Sequence, residues 1–471
     1  MVVNDWVDAE EHVERAHEHY EAGRWDDAEA ELRRALALNP YQAEWQFNLG
    51  LTLEAAGRYE QAIDAFRACH ELRDGDGPAA LAMGINLIRL NRPREAVEWL
   101  EQAERLDPSS VTPIVHRIDA LTDLGELEQA ELAFYMGQQL DPQNPDLYSA
   151  MADALLARRD FERAIWCLRE AARLSPDMPR INARLARAYA ATGRQERARQ
   201  LYHRELRLDP GDVDTLLDLG DLLVDMHRFD EAGEKYRRVL ELEPDHPEAH
   251  FALGVLAAEQ GRLHEAGVQF DVVLRLEPDH PEARTRLADL LLSSGRDQDV
   301  RRARELLLQE LRRCRVPENQ DADALDLLGQ LLLDADLSRE GARVLQRVLE
   351  LRPSDHRAHH HFSVALLETG DLEGGIEAAK AALRLNPRFV PAMHNLALAY
   401  LRRGEWLRAR YWARQALAID PDDASLRRLR LMMAAHTGFA FARFLAISAW
   451  SAWKRVWSCI GRPTRQAAQR S

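Results

Sequence analysis

AEWQFNLGLTLEAAGRYEQAIDAFRACHELRDGD, residues 43–76, carries two apolar helical stripes separated by a glycine. Leu49 and Gly50 lie in the first stripe, Ala62 and Phe66 in the second, and Gly57 and Tyr59 between them. A small residue in mid-helix lets a neighbouring helix approach, and a large one opposite fills the remaining space. The stretch therefore predicts a helix–turn–helix hairpin, with Gly57 at the turn where the chain needs positive φ.

The same spacing continues on both sides. Alanines at 28, 62, 96, 130, 164, 198, 232 and 266 recur every 34 residues, as do prolines at 108, 142, 176, 210, 244 and 278. Pro353, Pro387 and Pro421 resume the period after a gap of two repeats plus seven residues, and the excess lies between Gly295 and Ala322. EPDHPEA, at 243–249 and again at 277–283, stops one helix with proline and starts the next with proline in its first turn. One hairpin cannot bury its apolar stripe alone, so such units must stack.

Leu-Gly in a first helix, Ala then an aromatic or Leu in a second, and Pro after it: this pattern resembles the tetratricopeptide repeat (TPR) family. The resemblance covers twelve units, from about Ala9 to Asp423. It implies an all-α fold, a right-handed TPR superhelical solenoid of about twelve helix-turn-helix repeats, to which the sequence adds a C-terminal amphipathic helix. The expected organisation is a lead-in at 1–8, regular repeats over 9–296 and an irregular insertion with hinge character at 297–321. Repeats ten to twelve follow at 322–423, then a capping helix at 424–438, a Trp-rich helix at 439–460 and a basic tail at 461–471. Cys69 and Asp74 depart from the usual Ala and Pro of the second unit, and Ile118 from the small residue of the fourth. Gly341 and Gly375 replace alanine in the tenth and eleventh units. Glycine costs roughly 1 kcal/mol more than alanine inside a helix, which predicts a less regular C-terminal third.

Composition narrows the class of function. Of the 471 residues, 46% are hydrophobic and 30% charged, which fits an ordered helical protein. Cys69, Cys167, Cys314 and Cys459 lie too far apart for a zinc knuckle or a disulfide framework, and a reducing compartment is the default. The acidic start MVVNDWVDAEEHVE is unlike a secretory or transit segment, so a cytoplasmic protein is expected. Lysine occurs only at Lys235, Lys380 and Lys454, and the arginine and alanine bias suggests a GC-rich bacterial source. The net charge of −16 is unevenly placed. From Arg402 onward there are 14 basic and 4 acidic residues, net +10, leaving 48 and 74, net −26, before it.

The family resemblance implies that positions 2, 5, 9 and 12 of each repeat line a concave groove, and steps of three and four do share one helical face. Mapped onto this chain, position 9 supplies Asp119, Asp153, Arg187, Asp221 and Asp289, while position 2 supplies Asp146, Asp214, Glu248, Glu282 and Asp323. Two readings stay open: a solvated acidic face, or a trough for a basic peptide or protein surface whose charge relieves the repulsion among the acids. The lysines and asparagines of a chaperone-binding carboxylate clamp are absent, and an asparagine ladder has only Asn48 and Asn395.

No phosphate loop, dinucleotide fingerprint, zincin motif or nucleophile elbow occurs, and the repeats occupy the length a catalytic domain would need. No enzyme and no cofactor are expected. HRAHHHF at 356–362 places His356 and His360 one helical turn apart, with His394 one repeat on from His360; ordinary inter-repeat histidines are favoured over a metal site. RRARELLLQELRRCR at 301–315 reads as the second helix of the ninth repeat, not a nucleic-acid patch, since an acidic body repels phosphate.

FLAISAWSAWKRVWSCI at 444–460 aligns Trp450, Trp453 and Trp457 on one helical face, with Lys454 and Arg455 opposite. Three tryptophans present about 600 Å², too much apolar surface to leave in water. Its unbroken apolar stretch rises only about 15 Å, half a bilayer's hydrocarbon thickness, so it does not span. Three roles remain: a cap on the last repeat, attachment along an anionic membrane surface aided by Arg462 and Arg465, or docking on a partner or on a second copy as a homo-oligomer. The expected function is a non-enzymatic scaffold with an acidic groove for a basic protein segment, tethered peripherally to the inner face of a membrane. Its rival is a soluble assembly chaperone or regulatory subunit whose last helix only caps the array or mediates self-association.

Overall fold

In a computed structural model, described over residues 2–73, 75–280, 282–313 and 321–435, each 34-residue period becomes two helices joined by a tight turn. Helix is the sole regular secondary structure among the described residues. The chain divides into two compact units, Met1–Pro244 and Asp245–Ser471.

The first unit holds seven helix pairs: α1 (Val2–Glu21) with α2 (Trp25–Leu38), α3 (Ala43–Ala55) with α4 (Tyr59–Leu72), and α5 (Gly77–Arg89) with α6 (Pro93–Leu106). These are followed by α7 (Thr112–Asp123) with α8 (Leu127–Leu140), and α9 (Pro145–Ala157) with α10 (Phe161–Leu174). Next come α11 (Ile181–Ala191) with α12 (Gln195–Leu208), and α13 (Val213–Asp225) with α14 (Phe229–Leu242). The second unit pairs α15 (Pro247–Glu259) with α16 (Leu263–Leu276), α17 (Ala283–Ser294) with α18 (Asp297–Arg313), and α19 (Ala322–Asp334) with α20 (Ser338–Leu351). It continues with α21 (His356–Thr369) and α22 (Leu372–Leu385), α23 (Val390–Arg402) and α24 (Trp406–Ile419), and ends its described part with α25 (Ala424–Ala435). Within each unit a second helix packs on its own first helix and on the first helix of the next pair.

Size complementarity closes each hairpin. A Cβ added to Gly50 would stand 2.5 Å from the Phe66 ring, one on Gly220 2.4 Å from Tyr236, and one on Gly254 2.7 Å from Phe270. The periodic alanines from Ala28 to Ala266 are all fully buried, as the helices' close approach requires. First helices end in a left-handed residue with the backbone bonds of a Schellman cap: Gly57 N–H donates to Glu54 O at 2.9 Å and Arg58 N–H to Leu53 O at 2.8 Å. The same geometry holds where the residue is Asn91, Arg159, His227 or Asp336, all with φ near +60°. Tertiary packing imposes the turn even on side chains that disfavour it.

Three features differ from the sequence reading. Residues 2–8 are no lead-in: they form the first turns of α1, and Trp6 packs on Trp45 with ring centroids 5.9 Å apart. Gly341 and Gly375 do not disorder their repeats, since α20 and α22 are unbroken helices of 14 residues. Glycine is needed there for space: a Cβ on Gly375 would meet Leu367 at 2.6 Å, and buried Ser363 Oγ donates to Gly375 O at 2.9 Å. The seven extra residues of the ninth unit also resolve into two parts. Ala303 is the fully buried alanine, and it lies three residues later than the period requires, within a 17-residue α18; the other four residues fall after Arg313 and before Ala322, where α19 begins.

Three substitutions test the packing rule. Gly220→Ala should lower the stability of the α13–α14 region by about 1–3 kcal/mol through overpacking against Tyr236, read as faster amide exchange in those helices. Arg159→Gly and His227→Gly should each stabilise by about 0.5–1 kcal/mol by removing a left-handed penalty, read as slower exchange of the flanking turns.

Candidate functional site

Acidic stripes arise from helical periodicity on the first helices of the first unit. Asp214, Asp218, Asp221 and Asp225 follow steps of four, three and four along α13, whose leucines face the core. Asp119 and Asp123 occupy α7, Asp146 and Asp153 occupy α9, and α11 with its cap presents Arg180, Arg184 and Arg187 at the same steps.

The arginines bond to both neighbours. Arg184 donates to Asp153 and to Ser149 O, the latter at 2.9 Å. Arg187 donates to Asp218 at 2.9 Å and Arg180 to Asp214 at 2.7 Å. Within α7, α9, α11 and α13 eight carboxylates stand against the guanidiniums of Arg117, Arg184 and Arg187, a net charge of −5, and Arg117 is itself paired with Glu101 and Glu104. Asp119, with His116 3.4 Å away, is half-buried; Asp146 is exposed; Asp221 accepts a 2.7 Å hydrogen bond from Tyr236.

Proton affinities respond to this crowding. Burial pushes the Asp123 carboxyl up, and the Asp119 charge pushes it further. Asp153 is also held above the ordinary range by desolvation, which outweighs the opposing Arg184 and is reinforced by Asp119. Desolvation works against the Arg187 charge, but its hydrogen bond to Asp218 prevails and raises its affinity for the proton.

The acids of the second unit are distributed differently. Glu248 is exposed on α15, Glu282 pairs with Arg286 of its own repeat at 3.1 Å, and Asp289 is half-buried on α17. Asp323 receives both Arg352 nitrogens, at 2.5 and 2.8 Å, and that bidentate pair lowers its proton affinity. Farther along the unit the histidine motif forms an inter-repeat contact. His356 and His360 meet Phe389 edge-on, with centroids 4.9 and 5.4 Å away, Asn395 lies 3.0 Å from His360, and His361 lies 3.0 Å from Asp326. Among the described residues no three His, Cys, Asp or Glu groups are placed to hold a metal ion. Cys69 and Cys167 are buried free thiols, pushed up to about 11 and about 12 chiefly by burial. Trp450, Trp453, Trp457, Lys454, Arg455, Arg462 and Arg465 lie outside the described residues. Among the described helices none is long and apolar enough to cross a membrane.

Sequence reasoning found the acids at positions 2 and 9 but missed Asp123, Asp218 and Asp225, although the spacing in VDTLLDLGDLLVD could have shown the last two. It also missed Glu205, which stands where most other repeats bury a small residue or valine. The buried Glu205 carboxylate accepts from the Arg180 N–H at 3.1 Å, the Asn182 N–H at 3.2 Å and Asn182 Nδ2 at 3.0 Å, capping α11 from a neighbouring helix.

Stacked helix hairpins with a small-to-large lock in each define an all-α repeat protein of the interaction-scaffold class. The CFAP70 C-terminal TPR domain (cilia and flagella-associated protein 70) matches residues 39–252, and the tetratricopeptide repeat model TPR_16 matches residues 327–388 and 362–424. The chain belongs to the tetratricopeptide repeat family. Among solved structures it is similar to a chain of the APC/C hetero-tetramer Cut9-Hcn1, at 14% identity, covering 89% of this chain and 95% of that one, TM-score 0.40. Yeast Tom70 is similar at 14% identity over 91% and 95% of the two chains, TM-score 0.37. Pseudomonas aeruginosa PilF is similar at 20% identity over 46% and 99%, TM-score 0.40. No curated protein sequence matches.

The histidine contact has a pH signature. Burial first, then the charges of His361, His394 and His356, lowers His360 to about 3, and burial lowers His394 despite Asp423. Both folded values lie below the unfolded one, so neither group contributes above about pH 6.5, and stability falls as pH drops below it. The loss is about 1.4 kcal/mol per pH unit for a histidine kept neutral by the fold. Thermal melts of the wild-type chain from pH 7 to pH 5 should show this loss, and His360→Gln should flatten the dependence.

Proposed function

We propose that this chain is a non-enzymatic scaffold that receives a basic segment of another protein along α7, α9, α11 and α13 of its first unit. The observation that carries the reading is the excess of carboxylates over guanidiniums on those four helices, which remains after every internal pair has formed. Burial raises the proton affinity of Asp123 and Asp153, the Asp119 charge adds to it, and an incoming cationic chain would favour the charged carboxylates. Lysine and arginine side chains are the matching chemistry, with backbone and apolar contacts setting the register. The arginines of α11 interrupt the negative stripe and favour a ligand with an acidic or neutral residue at that point.

The C-terminal segment supplies the second part of the proposal. Its three tryptophans and flanking basic residues tether the scaffold along an anionic membrane surface from the cytoplasmic side. The net charge of +10 from Arg402 onward favours this attachment over a simple cap, whose outer face would be polar.

Asp119→Asn, Asp153→Asn and Asp221→Asn combined should weaken binding of a fluorescent arginine- and lysine-rich peptide to the full chain by about five- to tenfold at low salt. The salt dependence should flatten as well. Equal affinity and an unchanged salt slope would place recognition elsewhere.

A further inference from the structure

Along the outer edge of the repeats, an acid in the first turn of several second helices pairs with an arginine near the turn of the next repeat. In the first unit the pairs are Asp26–Arg58 at 2.7 Å, Glu60–Arg92 at 3.2 Å and Glu162–Arg194 at 2.7 Å, each arginine capping the start of a second helix; in the second unit Glu373 pairs at 2.7 Å with Arg403, which caps the end of α23. One repeat after Glu373 the same position holds Leu407, and it is 86% exposed. One helical turn later Tyr411 is 56% exposed, and Arg410 and Arg414 flank the two, exposed and with no ion pair among the described residues. Their neighbours Arg403 and Arg408 are already neutralised by Glu373 and Glu405. At the position where Asp26, Glu60, Glu162 and Glu373 form inter-repeat pairs, and where Arg94, His264, Arg301 and Arg339 stand in other repeats, the outer ridge of α24 carries an apolar residue beside uncompensated cations.

An apolar ridge with positive flanks has two natural occupants: the chain's own following segment, or an anionic surface. The register disfavours the first. A second helix laid on α25 in the frame of the other repeats would bring Arg443 to the slot where they bury an alanine completely, and the basic residues of the tail share the sign of Arg410 and Arg414. We propose that the outer ridge of α24, Leu407 and Tyr411 with Arg410 and Arg414, is a lipid-docking surface for anionic headgroups. It lays the α23–α24 repeat against the membrane that the tail engages. This rests on the tether proposed above and extends it from the tail to a folded helix. Leucine enters the interface, the tyrosine ring sits at headgroup depth, and the guanidiniums meet lipid phosphate.

The test is cosedimentation of the full chain with vesicles of phosphatidylglycerol and phosphatidylcholine, against phosphatidylcholine alone. Three variants are compared: Leu407→Glu with Tyr411→Glu, Arg410→Gln with Arg414→Gln, and a tail variant with Trp450, Trp453 and Trp457 each changed to Ser. Because the ridge side chains are exposed, circular dichroism and melting should stay those of the wild-type chain. Each ridge variant should bind anionic vesicles about tenfold more weakly than wild type. If the tail variant loses binding and both ridge variants keep it, the ridge is overturned and the tether stands. If the wild-type chain itself ignores anionic vesicles, both proposals fall.

Discussion

Everything in this protein depends on how closely two helices approach within a hairpin. Gly50 under Phe66, Gly84 under Leu100, Gly220 under Tyr236 and Gly329 under Leu345 leave no room for a Cβ. The large side chain occupies the volume that the glycine vacates, and the buried alanine of the second helix brings the two backbones together. Once that distance is set, the turn must close in a left-handed residue, whether or not it is glycine.

Stacking then converts a sequence period into surface. Residues spaced by three and four along one helix become a stripe, and equivalent stripes on successive first helices lie side by side. Each repeat can change its stripe without disturbing the lock beneath it. The first unit illustrates this with aspartates on α7, α9 and α13 and arginines on α11. Close spacing couples their charges, so the arginines stabilise part of the acidic surface and leave the remainder in repulsion.

Much of the fold was legible beforehand because the lock is local and periodic. The alanines mark every unit of the first 280 residues, and the turn glycines and the prolines mark most of them. Irregular places were harder. Gly341 and Gly375 read as weak points by propensity alone, while contacts with Leu333 and Leu367 make small residues necessary there. The extra residues of the ninth unit were visible as a phase break, but their division between a longer α18 and a longer connection depends on which alanine the neighbours bury. In the candidate site the acids themselves were countable. Their partners were not, since Arg184 reaches Asp153 and Glu205 caps α11 across sequence separations that periodicity does not encode.

By itself the sequence determined the all-α repeat class, the unit length, the hairpin lock and the opposite charges of the body and the stretch from Arg402 onward, because these follow from spacing and composition. Tertiary structure decided which carboxylates are matched by arginine, which turn residues are forced into left-handed conformation, how the histidines pack on Phe389, and that Leu407 stands bare on α24. The reason is geometric: periodicity says which face a residue occupies, whereas pairing, burial and exposure depend on the atoms that a neighbouring repeat brings within a few ångströms.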